Sequence, residues 1–210
     1  MTAEATLSRA VKFDEKVDRA ASIIVGRLVS QESSWDANRQ RILTYSKFQI
    51  EKTLKGSPTQ EITIVTPGGT VGDIAQDYVG VPRFHTGDDH VVFVRDTRIG
   101  PTVSYFEQGA YRVDKDQSGE RIVTPLVSSA VLFDAQRGAA VAPESPRSLR
   151  AFEGSVRDSI GRHEKMRMRM IEQKKREEAT LWSQVKRNKT LVILALLGAI
   201  LTTWQLVKRT

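Results

Sequence analysis

The chain of 210 residues contains no cysteine. Disulfides, thiolate zinc sites and cysteine nucleophiles are thereby excluded. Catalytic signatures are missing as well: neither GxSxG, HExxH nor GxxxxGK[ST] occurs, so hydrolase and phosphate-loop chemistry find no support. The glycine-rich stretch Pro67-Gly68-Gly69-Thr70-Val71-Gly72 reads instead as a turn whose glycines supply positive φ. Aspartates and glutamates are scattered along strands and turns. No enzymatic activity, cofactor or small-molecule substrate is expected. The first 18 residues are charged and carry no apolar run. No export signal is legible there, so either the protein is not exported or its native start lies upstream.

Long hydrophobic runs are equally scarce, with one exception. Residues 191–207 read LVILALLGAILTTWQLV without a charge. At 1.5 Å per residue such a helix spans roughly 26 Å, at the short end of what a bilayer core needs. Residues 190–207 are therefore expected to form a transmembrane helix, with Leu191, Ile193, Leu194, Leu197, Ile200, Leu201 and Trp204 as the membrane anchor and Trp204 near the interface. A buried core helix is the competing reading, but it would keep a polar face, and here Thr202, Thr203 and Gln205 cluster at one end. Lys186, Arg187 and Lys189 precede the run, and Lys208 and Arg209 follow it in the basic tail 208–210. These five are expected at lipid headgroups.

Charge is unevenly distributed. Residues 1–145 carry 17 Lys/Arg against 19 Asp/Glu, and residues 146–189 carry 13 against 6, so the overall +7 belongs to the segment leading to the apolar run. Such a segment is attracted to anionic lipid. Nucleic-acid binding is the rival explanation. It is disfavoured because aromatics do not interleave with the charges and residues 1–145 are slightly acidic.

The periodicity predicts a mainly β protein. Residues 1–21 hold an N-terminal helix, with Ala10, Phe13, Val17 and Ala20 at three- and four-residue spacing. Residues 22–137 hold strands near 22–29, 41–54, 61–66, 90–95, 103–113 and 121–125, separated by a loop at 31–39 and by turns. Five or six short strands, one of them long and curved, suggest a small antiparallel OB-like barrel. Residues 138–145 read as a linker. Ser145 as N-cap and Pro146 at the first helical position open a charged helical arm over 146–189.

Two groups stand out as candidate sites. Leu149, Phe152, Val156 and Ile160 form one apolar stripe on the arm, expected to pack on the barrel or to bind a protein partner. His85, Asp88 and His90 offer imidazole and carboxylate in one turn, ligand types that suit Zn²⁺ or Mn²⁺. The same residues serve equally well as a solvated hairpin turn, and no metal is expected.

The succession Phe13-Asp14-Glu15, Ala20 to Ser30, Trp35, Leu54-Lys55-Gly56, Thr66 to Gly72, Val81-Pro82-Arg83-Phe84, Gly87-Asp88 and Tyr111-Arg112-Val113 resembles a group of mostly uncharacterised bacterial proteins. Their domain looks like the OB-type barrel of the tissue inhibitors of metalloproteinases and of netrin-like modules. The resemblance implies a barrel and an exported protein. It implies no inhibitory chemistry here, since that depends on an N-terminal cysteine. The function expected is a non-enzymatic, membrane-anchored binding or scaffold protein, as an accessory subunit of a membrane complex. The alternatives are an exported peptidase-inhibitor-like protein and a metal-dependent enzyme. The expected location is a membrane with a single C-terminal anchor. The barrel is cytoplasmic by the flanking charges of the sequence as written, and extracytoplasmic if a leader precedes it.

Overall fold

The computed structural model describes residues 7–58, 60–127 and 131–187. The anticipated membrane helix 190–207, with Leu191, Ile193, Leu194, Leu197, Ile200, Leu201 and Trp204, lies outside the described residues, as do Lys189, Lys208 and Arg209. Among the described residues no helix is long and apolar enough to cross a membrane.

The chain is mainly β. In order it forms β1 Leu7–Arg9, α1 Phe13–Arg19, β2 Ser22–Trp35, β3 Ile42–Lys55, β4 Glu61–Pro67, β5 Gly69–Val71, β6 Ile74–Gln76, β7 Asp89–Thr97 and β8 Gly100–Val103. After a 3-10 turn at Phe106–Gly109 come β9 Ala110–Lys115, β10 Arg121–Pro125, β11 Val131–Asp134, β12 Ala139–Val141, β13 Arg147–Ser148 and α2 Leu149–Arg187. The main sheet runs β13-β10-β9-β7-β2-β3-β4, with β8 also paired to β7. A small sheet, β1-β11-β12, and the hairpin β5-β6 stand apart from it.

No closed barrel is present among the described residues, which corrects the sequence expectation. Strands β4 and β13 end the sheet and do not pair with each other. The curvature expected of the long strand over 41–54 is present. Register shifts between Ile23 and Ile24, Val25 and Gly26, and Leu28 and Ser30 bend the β2–β3 ladder. A side chain at Gly26 would strike Gln49 O at 2.6 Å, so glycine permits the close approach at this bulge. The curl brings β8 beside β4, where Thr102 Oγ1 donates to Val65 O at 2.6 Å. That side-chain bond spans a seam with no ladder across it.

Strand alternation divides the core between the two faces of the sheet. Ile23 and Val25 of β2 and Val91 and Phe93 of β7 belong to one cluster, while Ile24, Leu28, Val92 and Val94 belong to the other. The first face is covered by Val17 of α1 and by Leu149, Phe152 and Val156 of α2. The second curls on itself, with Phe48, Ile64, Phe84 and Val103 inside. Fully burying a side chain such as Phe152 contributes about 1.5–3 kcal/mol.

Several element boundaries differ from the periodicity. The helix expected within residues 1–21 starts at Phe13, because Leu7–Arg9 pairs in parallel with Val131–Phe133. The loop expected at 31–39 is in large part the outer half of β2, which pairs with β3 as far as Trp35–Ile42. The single strand expected over 103–113 is broken by the 3-10 turn, so that β8 pairs with one half of β7 and β9 with the other. The linker 138–145 contains β12. Ser145-Pro146 does not start the second helix. Arg147–Ser148 is extended against Val123–Ile122, and Ser148 Oγ accepts from Ala151 N, so the cap lies three residues later. The chain parts into two compact units after Gly161, not at 145. In the second unit, the α2 residues Met166, Met168, Met170 and Ile171 are exposed among charges.

Candidate functional site

The stripe Leu149, Phe152, Val156 and Ile160 is committed to the protein's own core. The first three are at most 8% exposed and Ile160 packs against the same cluster. Phe152 meets Phe13, Phe93 and Tyr111 edge-on at 5.0–6.1 Å, a favoured aromatic geometry. These four residues are therefore not an open partner surface, because the sheet occupies the face they would present.

The turn histidines diverge. His85 is exposed, with Asp88 at 3.9 Å. His90 is buried between the rings of Phe48 and Phe84 at 5.9 and 4.9 Å. Strand alternation carries His90 into the interior with Val92 and Val94, away from the turn. Burial lowers its pKa, and the nearby carboxylates of Asp88 and Asp89 pull the other way. Among the described residues no group of three or more His, Asp or Glu side chains could hold a metal. Lys186 and Arg187 close the described part of α2.

Two clusters that the periodicity did not single out organise the surface. The first is closed. Lys16 projects from α1 into the interior, 3% exposed. Its Nζ donates to Gln108 O at 3.1 Å, to Tyr111 Oη at 2.5 Å and to Glu144 Oε1. An ammonium has three donors, and all three are used. Burial lowers the Lys16 pKa, and its pairing with Glu144 raises it in opposition. Burial also holds the Tyr111 hydroxyl well above its ordinary value. Arg147 lies over Phe13 and Phe152 at 4.5 and 4.7 Å from the ring centres and contacts Glu144 at 3.3 Å. Every cation here has an anion and a ring, so the cluster is a clasp that ties the N-terminal helix and the 144–147 segment to β9.

The second cluster is open. Where β4 and β8 face each other, a depression of about 370 Å³ is lined by Leu43, Pro67, Val81, Pro82, Val103 and Phe106, among others. Arg41, Arg95 and Arg98 also line it. Each of these arginines is exposed, and among the described residues none has a side-chain ion pair or hydrogen bond. Ile99, at the tip of the β7–β8 hairpin, is 57% exposed and Phe106 is 54% exposed.

The backbone presents Phe106 at a cost. Tyr105 and Phe106 take φ of 57° and 54°, a region that costs bulky L-residues on the order of 1–3 kcal/mol each. The surroundings hold them there. Ser104 N donates to Phe93 O at 2.7 Å and Glu107 N to Gly80 O at 2.7 Å. The Gln108 side chain accepts from Val11 N and donates to Arg9 O. The Glu107–Gly80 bond also fixes the neighbouring loop, on which Tyr78 and Val79 are exposed.

A larger polar cleft of about 590 Å³ shares the wall Thr66, Pro67, Val81 and Pro82 with this depression. Many of its polar groups are spent internally. Thr44 Oγ1 donates to Gly68 O at 2.6 Å and lies 2.9 Å from Ser33 Oγ, Gln76 Oε1 accepts from Ile42 N at 2.7 Å, and Arg83 pairs with Asp77. Gly68, Gly69 and Gly72 all have positive φ, and a Cβ at Gly69 would strike the Ser33 and Thr44 hydroxyls at 2.3 and 2.4 Å. The glycine-rich stretch is thus a tight turn that lays β5-β6 against β2 and β3.

The seam arginines lie far apart in sequence, and only Ile99, an apolar residue at a hairpin tip, could have hinted at them. Comparison with known proteins supplies no relative from which a role for the seam could be carried over: no protein-family model, no curated protein and no solved structure matches this chain.

Proposed function

We propose that this chain is a membrane-anchored, non-enzymatic binding protein that docks a protein partner at the seam between β4 and β8. The observation that carries the reading is the pair of exposed apolar side chains Ile99 and Phe106 in the lining of a concave, cation-rimmed depression. Contiguous exposed apolar surface beside a concavity is characteristic of interaction sites. The strain at Tyr105 and Phe106 supports it, because backbone cost is retained where presentation of a side chain matters.

The run 191–207 supplies the anchor in this reading, and Lys186, Arg187, Lys189, Lys208 and Arg209 meet the headgroups. Basic residues outnumber those on the far side on the β-unit flank of the run, which favours a cytoplasmic β unit. The protein then acts as an accessory subunit that displays its β unit at a membrane surface.

The test is site-specific photo-crosslinking in native membranes, with a benzophenone amino acid replacing Ile99 in one full-length protein and Lys115 in another. A discrete protein adduct from position 99, absent from position 115 and lost on Phe106→Ala, is expected. No adduct, or equal labelling from both positions, overturns the reading. Protease treatment of sealed membranes checks the side: the β unit should be cleaved only when the cytoplasmic face is accessible, and cleavage from the opposite face alone refutes the orientation.

A further inference from the structure

We infer that the seam selects an acidic peptide segment of its partner, with carboxylates on Arg41, Arg95 and Arg98 and an apolar side chain in the depression between Leu43, Val81 and Val103. This rests on the docking reading above and adds the chemistry of the docked segment.

Charge complementarity is the first argument. On the same unit Arg9 pairs with Glu15, Arg27 with Asp89, Arg112 with Asp114, Arg121 with Glu51 and Arg137 with Asp134, while Arg19, Arg39, Arg150 and Arg157 are exposed without an ion pair among the described residues; what sets the seam apart is that three arginines line one depression. The three seam arginines have no ion pair among the described residues. They form a local positive island on a unit whose residues 1–145 are net negative by two. Paired positive and negative patches set specificity and orientation at an interface.

Size is the second argument. About 370 Å³ is at the small end of ligand pockets, room for the side chains of a short segment rather than for a folded domain or a base-paired duplex. Its floor is apolar (Leu43, Val103, Val81, Pro82), so a purely charged ligand would leave it unfilled. A peptide that alternates acidic and apolar residues satisfies both rim and floor. Preorganisation is the third argument. Phe106 is already held beside the depression by the Glu107–Gly80 and Ser104–Phe93 backbone bonds, so little ordering cost falls on binding.

The slight negative charge of residues 1–145 opposes a nucleic-acid ligand, which needs a broad basic surface. Anionic lipid shares the carboxylate's charge but offers no residue-sized apolar anchor at the headgroup level.

The experiment uses the full chain in phosphatidylcholine nanodiscs and measures fluorescence anisotropy of three labelled peptides: alternating Glu/Leu, alternating Lys/Leu and alternating Glu/Ser. The Glu/Leu peptide should bind about tenfold or more tightly than either control, and the R41E/R95E/R98E variant should lose about tenfold or more of that affinity. R112E, which alters an arginine already paired elsewhere, should leave it unchanged. Equal binding of the Lys/Leu peptide, indifference to the triple reversal, or preferential binding of an oligothymidylate or of phosphatidylserine nanodiscs through the same arginines overturns the inference. The crosslink at position 99 is scored separately. A partner captured there with no acidic preference sinks the peptide chemistry alone, whereas absence of any adduct sinks the docking reading.

Discussion

Two regions of this molecule use the same ingredients, cations beside aromatic rings, to opposite ends. At the Lys16 clasp every cation is matched: Lys16 and Arg147 share Glu144, and the rings of Phe13, Phe152 and Tyr111 close around them. At the seam Arg41, Arg95 and Arg98 have no anion among the described residues, and Phe106 stands half in solvent. The clasp spends its interaction capacity on folding, and the seam leaves it exposed to solvent. A buried charge must be fully partnered to be tolerated, whereas an exposed arginine stays hydrated at little cost until a partner displaces the water. Saturation therefore marks structure at the clasp, whereas the seam leaves the same chemistry exposed on a rigid frame.

The comparison can be broken most forcefully at Phe152. Phe152→Ala should lower stability by about 3–5 kcal/mol, the usual cost of emptying a large aromatic site in a core. Denaturant unfolding of the full chain checks it, and a loss below about 1 kcal/mol would mean that the first face is not a packed core.

Lys16→Ala ranks next. It strands Glu144, Tyr111 Oη and Gln108 O, but Glu144 is about one-third exposed and can recover water. A loss of about 2–3 kcal/mol is expected, below the full cost of breaking a wholly buried pair. Lys16→Met, which fills the space without a charge, should be milder. If both variants match the parent, the clasp contributes nothing.

Acidification tests the second face. Burial lowers the His90 pKa below the ordinary histidine value of 6.5. The unfolded chain then binds more protons than the folded one between the lowered value and 6.5, so stability falls as pH drops through that window. The slope cannot exceed about 1.4 kcal/mol per pH unit for one proton. His90→Phe should flatten it. An unchanged profile in that variant would assign the pH dependence to another group.

Substitutions at the seam should go the other way. Phe106→Gly relieves a left-handed backbone at a position half in solvent and should be neutral or stabilising by up to about 1 kcal/mol, while abolishing the crosslink at position 99. A marked destabilisation would show that Phe106 is structural. Smallest of all, Arg41→Gln, Arg95→Gln and Arg98→Gln should each shift the unfolding midpoint by no more than about 0.5 kcal/mol, as unpaired surface residues do. A larger effect from any one of them would reveal a folded-state partner and erase the contrast between the two regions.

Much of the β framework was legible along the chain. The β-branched run at 22–29, the alternation from 42 and the breakers at 56–58 and 67–69 carry local signals that side-chain periodicity and glycine make plain. Closure into a barrel was not legible, because whether the last strand meets the first depends on register shifts at Leu54, Glu51 and Val29 that act over the whole sheet. Strands β1, β11 and β12 were missed because three or four residues are too short to show a period. The stripe from Leu149 to Ile160 was correctly read as one apolar face, yet periodicity names a buried face without naming what buries it. Spacing alone does not set Lys16 apart from the other charges of its helix. Only its neighbours, 92, 95 and 128 residues away along the chain, make it a buried clasp.

The amino-acid order alone determined whatever is local or compositional: the absence of thiol chemistry, the concentration of positive charge before the apolar run, the glycine turns and the alternation that assigns residues to faces. Tertiary structure alone decided which cations are matched and which are left without a partner. Ion pairing depends on distances of a few ångströms between residues remote in sequence, and those distances exist only once the sheet has curved and its two faces have been covered.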